Sequence, residues 1–387
     1  MAKIKKIKLL TFLICSLPMC FQLTSITGNS NLYRIVYVST VILYFIGRKK
    51  ILINEKVFKF ILVVSIVYFF CPISSFNIET DTVLYYVFTI CFIIVSYIGG
   101  TILNEDKNKT INYMIISNSI PLLYQIVVNI DQININTVMS VFTGDRINRA
   151  TFGYSHANFT AMFIVLEILL MYFRIKKVKK SKLMNLLMIF LLGPLLSTGS
   201  RSGVYALIVF LISEAFFIFS SKFNKYKNLV YSTLIISLSI FFVLNFGESL
   251  VLNSSGRDEI LVNNFRVLKD NGYLIFGAGG GSTSNINSIE GIRFSDNWYM
   301  TNIINSGIIG LTLMLLFITF IFIRIFKNKI NDTIGISFFI MMYVYSLSEN
   351  MLFVPGVALS WFLWTYVMYA FQTIEVNRLS KICLRGN

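Results

Sequence analysis

The sequence predicts an all-α polytopic integral membrane protein, and three observations support this fold class: composition, the length of the apolar runs and the distribution of basic residues. Of the 387 residues, 56% are hydrophobic and only 13% are charged, whereas soluble domains have about 25% charged residues. The mean hydropathy of +0.71 leaves too little polar surface to cover a soluble domain of this size. The excess apolar surface must therefore face lipid.

The apolar residues occur in runs long enough to cross a bilayer. Crossing the ~30 Å hydrocarbon layer takes about 20 helical residues, and long continuous runs favour helices over the alternating strands of a barrel. The pattern predicts about twelve transmembrane helices in a single membrane domain that covers residues 1–387. The predicted spans are 9–26, 31–47, 57–74, 83–102, 111–130, 157–173, 183–198, 203–220, 228–246, 300–323, 333–354 and 356–373.

The basic residues alternate between the two sides of these spans. With Met1 in the cytoplasm, 26 of the 34 Lys and Arg residues fall on the inner side, which agrees with the positive-inside rule. Both termini are therefore predicted to be cytoplasmic. The net charge of +16 then reflects topology and contact with anionic inner-leaflet lipid, and no nucleic-acid partner is expected. No cysteine spacing indicates a metal site.

Two predicted outer loops are long, at 131–156 and 247–299, and loops of this length are usually functional. In the second loop, Leu261, Phe265 and Leu268 repeat at helical spacing, and Gly272 stands where a C-terminal cap belongs. These features predict a short amphipathic helix of about four turns, on the outer membrane surface or over a cavity. The glycine run that follows, 277–281, is either an amide nest for phosphate or a flexible loop.

Arginine dominates the charge on the predicted outer face. Only eight basic residues lie there, and seven are arginine, whereas the inner side has 21 lysines and five arginines. Arginine is preferred where a planar fork binds phosphate or carboxylate through two hydrogen bonds. The split therefore favours an anion-binding role for these arginines. The alternative is that they are merely a few positive charges that remained on the outer face. The eight residues are Arg34, Arg146, Arg149, Arg201, Arg257, Arg266, Lys269 and Arg293.

Arg201 lies in a Gly/Ser-rich break between two predicted helices, in the sequence LSTGSRSG at 196–203. Small residues permit close approach of a ligand, and the next helix is predicted to begin near Ser202. Its N-terminal amides would favour an anion beside the guanidinium. The alternative is an ordinary helical hairpin whose arginine reaches towards the surface. We favour the binding role.

Three further positions are candidates for catalysis or substrate binding. His156 is the only histidine and stands at the outer mouth of the sixth span, where it is either structural or catalytic. Asp296 precedes the tenth span beside Asn297, so it is either a general base or a helix N-cap. Glu349 lies near the outer end of the eleventh span. For Glu349 and the more deeply placed carboxylates Glu167 and Glu214, helix packing and a substrate path both stay open.

Several stretches occur in an order that is found in a known family. They are FGYSHANFTAMF (152–163), LLSTGSRSGVYAL (195–207), SSGRDEI (254–260), IFGAGGGS (275–282) and DNWYMTNIINSGIIGLTLMLL (296–316), followed by SEN (348–350). This ordered set resembles the O-antigen ligase and O-antigen polymerase (Wzy) family of bacterial envelope enzymes. The resemblance covers roughly the second half of the chain, and the first half matches only as hydrophobic helices.

The resemblance implies a glycosyltransferase of the bacterial cytoplasmic membrane that needs neither cofactor nor metal. Its donor would be an undecaprenyl-diphosphate-linked oligosaccharide, used on the outer face. Arg201 and Arg257 match family arginines assigned to the donor diphosphate. Many relatives carry His where this chain has Asp296, and a tryptophan often found after the counterpart of Arg257 is absent.

The candidate site is therefore a set of residues with three predicted roles. The catalytic candidates are Asp296 and His156. The candidates for binding the donor diphosphate are Arg201, Arg257, Ser200, Gly279 and Gly280. The remaining candidates for substrate contacts are Arg146, Arg149, Arg266, Arg293, Asn297 and Glu349.

A polysaccharide polymerase is preferred over a ligase-type transferase because of amino-acid usage. The Ile-, Lys- and Asn-rich sequence is typical of low-GC Gram-positive bacteria, which make capsules but have no lipid A core. A flippase for the same lipid-linked sugar would have ionisable groups along a path and repeated halves, whereas the charge here is one-sided. Besides substrate and membrane lipid, a flippase and a chain-length regulator are expected partners.

Overall fold

The computed structural model describes residues 2–29, 31–48, 80–143, 148–178, 181–220, 257–278, 291–293, 296–328 and 333–383, with residues 55, 59, 62, 63 and 66 as isolated helical positions. Every regular element in these ranges is helical, which confirms the all-α class for the described part of the chain. The predicted span 228–246, and nearly all of the span 57–74, lie outside the described residues.

Twelve α-helices are described, together with a short 3-10 helix at Ile130–Gln132. They are α1 (Ala2–Thr27), α2 (Asn31–Arg48), α3 (Thr80–Glu105), α4 (Lys107–Val128), α5 (Ile135–Thr143), α6 (Ala157–Lys177), α7 (Lys182–Ser197), α8 (Arg201–Ser220), α9 (Arg257–Asp270), α10 (Trp298–Asn328), α11 (Thr333–Tyr345) and α12 (Ala358–Cys383). Ten of them correspond to predicted spans. The other two, α5 and α9, lie in the predicted outer loops.

Six helices of the described chain are long and apolar enough to cross a membrane. The segments are Lys8–Thr27, Tyr86–Glu105, Lys107–Val128, Ala157–Lys177, Arg201–Phe219 and Trp298–Ile321. The helices α2, α7 and α11 are apolar but shorter. By length and composition, the described helices are thus those of a membrane protein. The eleventh predicted span, 333–354, extends too far, because α11 ends at Tyr345 and the carbonyl of Ser346 accepts a hydrogen bond from the Trp298 amide instead.

The chain forms two compact units. The first unit contains Met1–Lys59, Phe88–Ile208 and Met351–Asn387, and the second contains Phe60–Val87 and Val209–Asn350. Because the boundaries fall within α3 and α8, each of these helices contributes to both units.

The relative directions of the helices in the first unit follow from pairs of contacts. Cys15 Sγ donates to the Thr110 carbonyl at 3.7 Å, and Gln22 Nε2 donates to the Asn118 carbonyl at 2.8 Å. Residue numbers rise together in these pairs, so α1 and α4 run parallel. The helices α2 and α3 are also parallel, because Tyr33 contacts Phe88 and Tyr37 contacts Phe92, with ring centroids 6.5 and 6.3 Å apart.

A buried chain of hydrogen bonds joins α1, α4 and α6. The Tyr154 hydroxyl donates to Gln22 Oε1, Gln22 Nε2 donates to Asn118 Oδ1 at 2.6 Å, and Asn118 Nδ2 donates to Glu167 Oε2 at 2.8 Å. Ser119 Oγ donates to the other carboxylate oxygen of Glu167. Burial raises the pKa of Tyr154 above its usual range, so its hydroxyl keeps its proton and remains a donor. Interhelical polar bonds of this kind hold membrane helices together.

Asn118→Ala is expected to lower the free energy of unfolding by about 1–3 kcal/mol, because Gln22 and Glu167 would each lose one buried hydrogen bond, the one to the Asn118 side chain. The adjacent Ser117 is the matched control, since its hydroxyl has no hydrogen-bond partner among the residues that the structure describes. Ser117→Ala should leave stability unchanged. Unfolding of the detergent-solubilised protein measures both. Equal stability of the two variants would show that the polar chain does not stabilise the helices.

The second buried carboxylate, Glu214, belongs to the second unit. Thr333 Oγ1 donates to Glu214 Oε1 at 2.9 Å, and Ser337 Oγ donates to Oε2 at 3.4 Å. Both donors belong to α11, so Glu214 links α8 to α11. These contacts, like those of Glu167, favour helix packing over a substrate path.

The helix α10 is broken at Gly307, which has φ 66° and ψ −175°, whereas the sequence predicts a continuous span at 300–323. The chain 274–278, which follows α9, lies against this break. It satisfies backbone groups that a helix end within a membrane would otherwise leave unpaired. The hydrogen bonds are Ile308 N to Leu274 O at 3.0 Å, Ile309 N to Ile275 O at 3.3 Å and Ala278 N to Ile304 O at 2.7 Å.

Two glycines permit this approach of one backbone to the other. A Cβ atom at Gly307 would lie 2.1 Å from the Ile275 carbonyl oxygen, and a Cβ at Gly277 would lie 2.5 Å from the Ser306 amide nitrogen. Both glycines have positive φ. Since a Cβ is excluded by distance and disfavoured by conformation, only glycine fits at either position.

The amphipathic helix predicted in the second outer loop is confirmed as α9, and so is its cap. Gly272 has φ +75°, its amide donates to Lys269 O at 3.2 Å, and the Tyr273 amide donates to Leu268 O at 2.8 Å. This pair of bonds is a Schellman motif, which glycine favours because it adopts positive φ without strain.

The buried face of α9 differs in part from the predicted one. Leu261 and Leu268 pack in a core with Met300 and Ile304 of α10. Phe265, however, is 43% exposed. The buried position is Asn264 instead, whose side chain hydrogen-bonds the backbone at Arg293. Because Asn264 is polar, the apolar pattern of the sequence did not indicate that it belongs to the buried face.

Candidate functional site

Arg201 is the first residue of α8 and follows the turn 198–200 that ends α7. Ser200 is buried and caps α8: its hydroxyl accepts from the Gly203 amide at 3.4 Å and lies 3.1 Å from Ser202 Oγ. Its own amide donates to Thr198 Oγ1 at 3.2 Å. Hydroxyl side chains that bond nearby amides favour such a turn. The predicted start of this helix near Ser202 is confirmed to within one residue.

The guanidinium of Arg201 is fixed on the C-terminal end of α5. Nε donates to the Val141 carbonyl at 2.9 Å, and Nη2 donates to the Phe142 carbonyl at 3.5 Å. A cation is favourable here because the last carbonyls of a helix carry partial negative charge. The remaining N–H groups of Arg201 have no partner among the described residues. The side chain is therefore held in place with part of its donor fork available.

Arg149 lies on the other side of the same turn. Its Nε donates to the Thr198 carbonyl at 2.8 Å, and its Nη2 donates to Asn158 Oδ1. A Cβ at Gly199, which has φ +60°, would lie 2.8 Å from Arg149 Cγ. The structure thus brings Arg149, Arg201 and Ser200 together around one tight turn, which we call the arginine turn (198–201 with Arg149).

His156 is the N-cap of α6. Its backbone is extended, and Nδ1 accepts a hydrogen bond from the Asn158 amide at 3.2 Å. This geometry requires that Nδ1 carries no proton. Asn158 therefore connects His156, through its amide, to Arg149, through its side chain. Sequence reasoning missed Asn158, although its place two residues after a helix-starting His156 was the available signal.

In the second unit, Asn297 is the N-cap of α10. Its Oδ1 accepts from the Met300 amide at 3.0 Å, and its Nδ2 donates to the Leu347 carbonyl at 2.7 Å. The cap role considered for Asp296 therefore belongs to its neighbour. Asp296 immediately precedes Asn297 in the sequence. Glu349, which is buried, comes two residues after Leu347. Both carboxylates thus lie close to the start of α10.

Arg266 and Arg293 are exposed residues of the second unit. The backbone of Arg293 is fixed, because its amide donates to Asn264 Oδ1 at 2.9 Å and its carbonyl accepts from Asn264 Nδ2 at 2.7 Å. Arg257 is the first residue of α9, but its side chain is outside the described part of the chain. Arg146, Gly279 and Gly280 also lie outside it. The roles given to these residues stay predictions.

Metal ligation finds no support in the described ranges, since no group of three or more His, Cys, Asp or Glu residues there could hold an ion. Arg201 likewise forms no ion pair with an acidic residue of the described chain; the pairs present are Glu55–Lys59 and Asp106–Lys109.

Two comparisons with known proteins were negative. No family model matches the chain, and no curated protein matches it. The function is therefore inferred from the side chains described above and from the resemblance of the short ordered stretches.

Proposed function

We propose that this protein is a polysaccharide polymerase that joins undecaprenyl-diphosphate-linked oligosaccharide repeat units on the outer face of a bacterial cytoplasmic membrane. The observation that carries the proposal is Arg201, whose guanidinium is fixed by the Val141 carbonyl while further N–H groups stay available. Such a preformed donor suits a diphosphate, which accepts hydrogen bonds from a planar fork.

In this reaction, the leaving group is the part that most needs stabilisation by the protein. The bond between C1 of the donor sugar and the diphosphate oxygen breaks, and a bond from C1 to an acceptor hydroxyl oxygen forms. Negative charge develops on the departing undecaprenyl diphosphate, and donors aimed at developing charge are usually the largest catalytic term. The hydroxyl proton passes to a base, for which Asp296 is our candidate. Arg201, with Arg257, is the candidate for stabilising the diphosphate.

The directions of the described helices support the proposed topology. The alternation of twelve spans requires α1 parallel to α4 and α2 parallel to α3, as their contacts indicate. It also requires α4 antiparallel to α6, which agrees with bonds from Asn118 to Phe163 and from Arg174 to Asn112.

Segments that the topology assigns to the outer face also meet in the first unit. Ser155 N donates to Ser25 O at 3.1 Å at the end of α1, and Ala150 N donates to Ser197 O at 2.9 Å at the end of α7. The end of α1, the loop before α6 and the arginine turn thus belong to one end of this unit. This clustering supports a site at the outer face.

The alternatives differ in acceptor or in class. A ligase-type transferase would use the same donor chemistry, so the arginine turn does not separate the two. An ionisable group within the membrane, such as Glu167, would be evidence for a flippase. The bonds from Asn118 and Ser119 to this carboxylate account for it by helix packing.

Deletion of the gene, followed by sizing of surface and lipid-linked glycans, tests the proposal. Single repeat units in place of long polymer, restored by the wild-type protein, are the expected result. Polymer of normal length that stays on its lipid carrier would indicate a ligase instead. Repeat units trapped on the cytoplasmic side would indicate a flippase.

A further inference from the structure

Arg34, at the start of α2, is a cation for which the described residues provide no polar partner. Its guanidinium carbon lies 5.1 Å from the centre of the Phe88 ring and 6.0 Å from the centre of the Tyr33 ring. Its Nε is buried and has no hydrogen-bond partner in the part of the chain that the structure describes. We propose that Arg34 binds the phosphate group of a lipid, and that it forms a second anion site separate from the arginine turn.

The position of Arg34 is unfavourable unless an anion is bound. The residue lies in the first turn of α2, where the helix dipole disfavours positive charge, and this turn contains no acidic residue. A buried donor without a partner is an additional cost. The two rings attract the cation and hold its plane, but they accept no conventional hydrogen bond. A phosphate would satisfy the charge and the terminal N–H groups.

The other three arginines of the first unit whose side chains are described differ from Arg34 in their hydrogen bonds. Arg149 and Arg201 donate through Nε to backbone carbonyls at helix ends, and Arg174 donates through Nε to Asn112 Oδ1. In each of them the inner nitrogen of the guanidinium has a protein partner. Arg34 is held by aromatic rings instead, and no described residue bonds the terminal N–H groups of its fork, which are left for a ligand.

The depth of Arg34 indicates which anion it meets. It lies one turn inside an apolar helix, α2, which is predicted to begin at the outer surface of the membrane. Lipid phosphates are the anions found at this level, and arginine side chains reach them readily. The Tyr33 ring lies 6.0 Å from that of Phe21 in α1, and the end of α1 is bonded to Ser155 near the arginine turn. Arg34 therefore lies at the same end of the first unit as Arg201.

Two kinds of membrane lipid present such a phosphate group: undecaprenyl diphosphate and the bulk phospholipid. A polymerase handles two diphosphate lipids at once, a donor and an acceptor, so the second anion site suits the acceptor. Assignment to the acceptor rests on the proposed function, whereas the phosphate site itself does not.

Native mass spectrometry of the full chain in detergent, with undecaprenyl diphosphate or phosphatidylglycerol added separately, tests the site. Arg34→Ala should weaken binding of at least one lipid by ~10-fold or more, as loss of a charge-assisted pair predicts. Arg34→Lys should lie between alanine and wild type. Lys59→Ala, which removes one exposed charge, should bind both lipids as wild type does. A melting curve of each variant verifies folding.

Each pattern of binding has a distinct meaning. Loss of undecaprenyl diphosphate alone supports a substrate site, and loss of phosphatidylglycerol alone supports a phospholipid site. Unchanged binding of both lipids in Arg34→Ala and Arg34→Lys overturns the proposal. If the protein makes no polymer but Arg34→Ala still loses a lipid, the proposed function fails and the phosphate site stands.

Discussion

Arg201→Ala is expected to abolish polymer formation, with a rate at least about 100-fold lower, which is the usual cost of removing one preorganised donor to developing charge. The physical reason is the loss of the fork that would bind the donor diphosphate. Membrane insertion should be retained, because the contact that is lost at the end of α5 is a helix-terminal one, worth about 0.3–1 kcal/mol. Gel sizing of lipid-linked glycans, beside immunoblots of the membrane fraction, measures both effects.

Arg201→Lys separates charge from geometry. Lysine keeps the positive charge and can still approach the carbonyls of Val141 and Phe142, but it has no planar fork. We expect polymer formation by this variant to be nearly as poor as that of Arg201→Ala. Full-length polymer from both variants would reduce Arg201 to a structural link between α5 and α8.

Gly307→Ala is expected to destabilise the second unit by about 3–5 kcal/mol, because φ is positive and the new Cβ would lie within van der Waals distance of a carbonyl. That carbonyl belongs to Ile275, and the distance would be 2.1 Å. The chain 274–278 would have to leave the break in α10, which would expose unpaired backbone groups. Denaturant-induced unfolding in detergent, followed by the fluorescence of the buried Trp298, measures the loss.

The control for this prediction is Gly193→Ala in α7, where a Cβ meets nothing within 4 Å. Since alanine favours helix over glycine, this variant should be as stable as wild type or more stable by up to about 1 kcal/mol. Gly277→Ala should resemble Gly307→Ala, and the double variant should lose less than the sum of the two. Wild-type stability of Gly307→Ala would contradict the backbone contact itself.

The sequence predicted the features that depend on local signals. Helices of the right length appear as continuous apolar runs, and Gly272 identifies a helix end through its own conformation. The start of α8 near Ser202 was predicted from the Gly/Ser-rich break in which Arg201 lies. Each of these depends on neighbours within one or two turns, so a single sequence contains the information.

The features that the sequence did not predict depend on distant partners. The break at Gly307 is concealed within an uninterrupted apolar run, because the chain that satisfies it lies about thirty residues earlier. The polar chain from Gln22 to Glu167 joins three helices. The helix α5 was assigned to a loop because it is short.

The candidate site likewise contains residues that the sequence could identify and contacts that it could not. Arg201 could be selected from its turn and its charge, but its anchor, the Val141 carbonyl, comes from a part of the chain 60 residues away. The link that Asn158 makes from His156 to Arg149 was also visible only in three dimensions. Hydropathy and caps thus identify where a site begins, and tertiary contacts determine which donors are left for a ligand.

The most direct test of the account uses the purified protein in liposomes with a lipid-linked repeat unit as the only substrate, in the presence of a metal chelator. The account predicts a ladder of lipid-linked polymer, with one undecaprenyl diphosphate released for each new glycosidic bond, and neither product from Arg201→Ala. Folded wild-type protein that produces no ladder and releases no undecaprenyl diphosphate would contradict it.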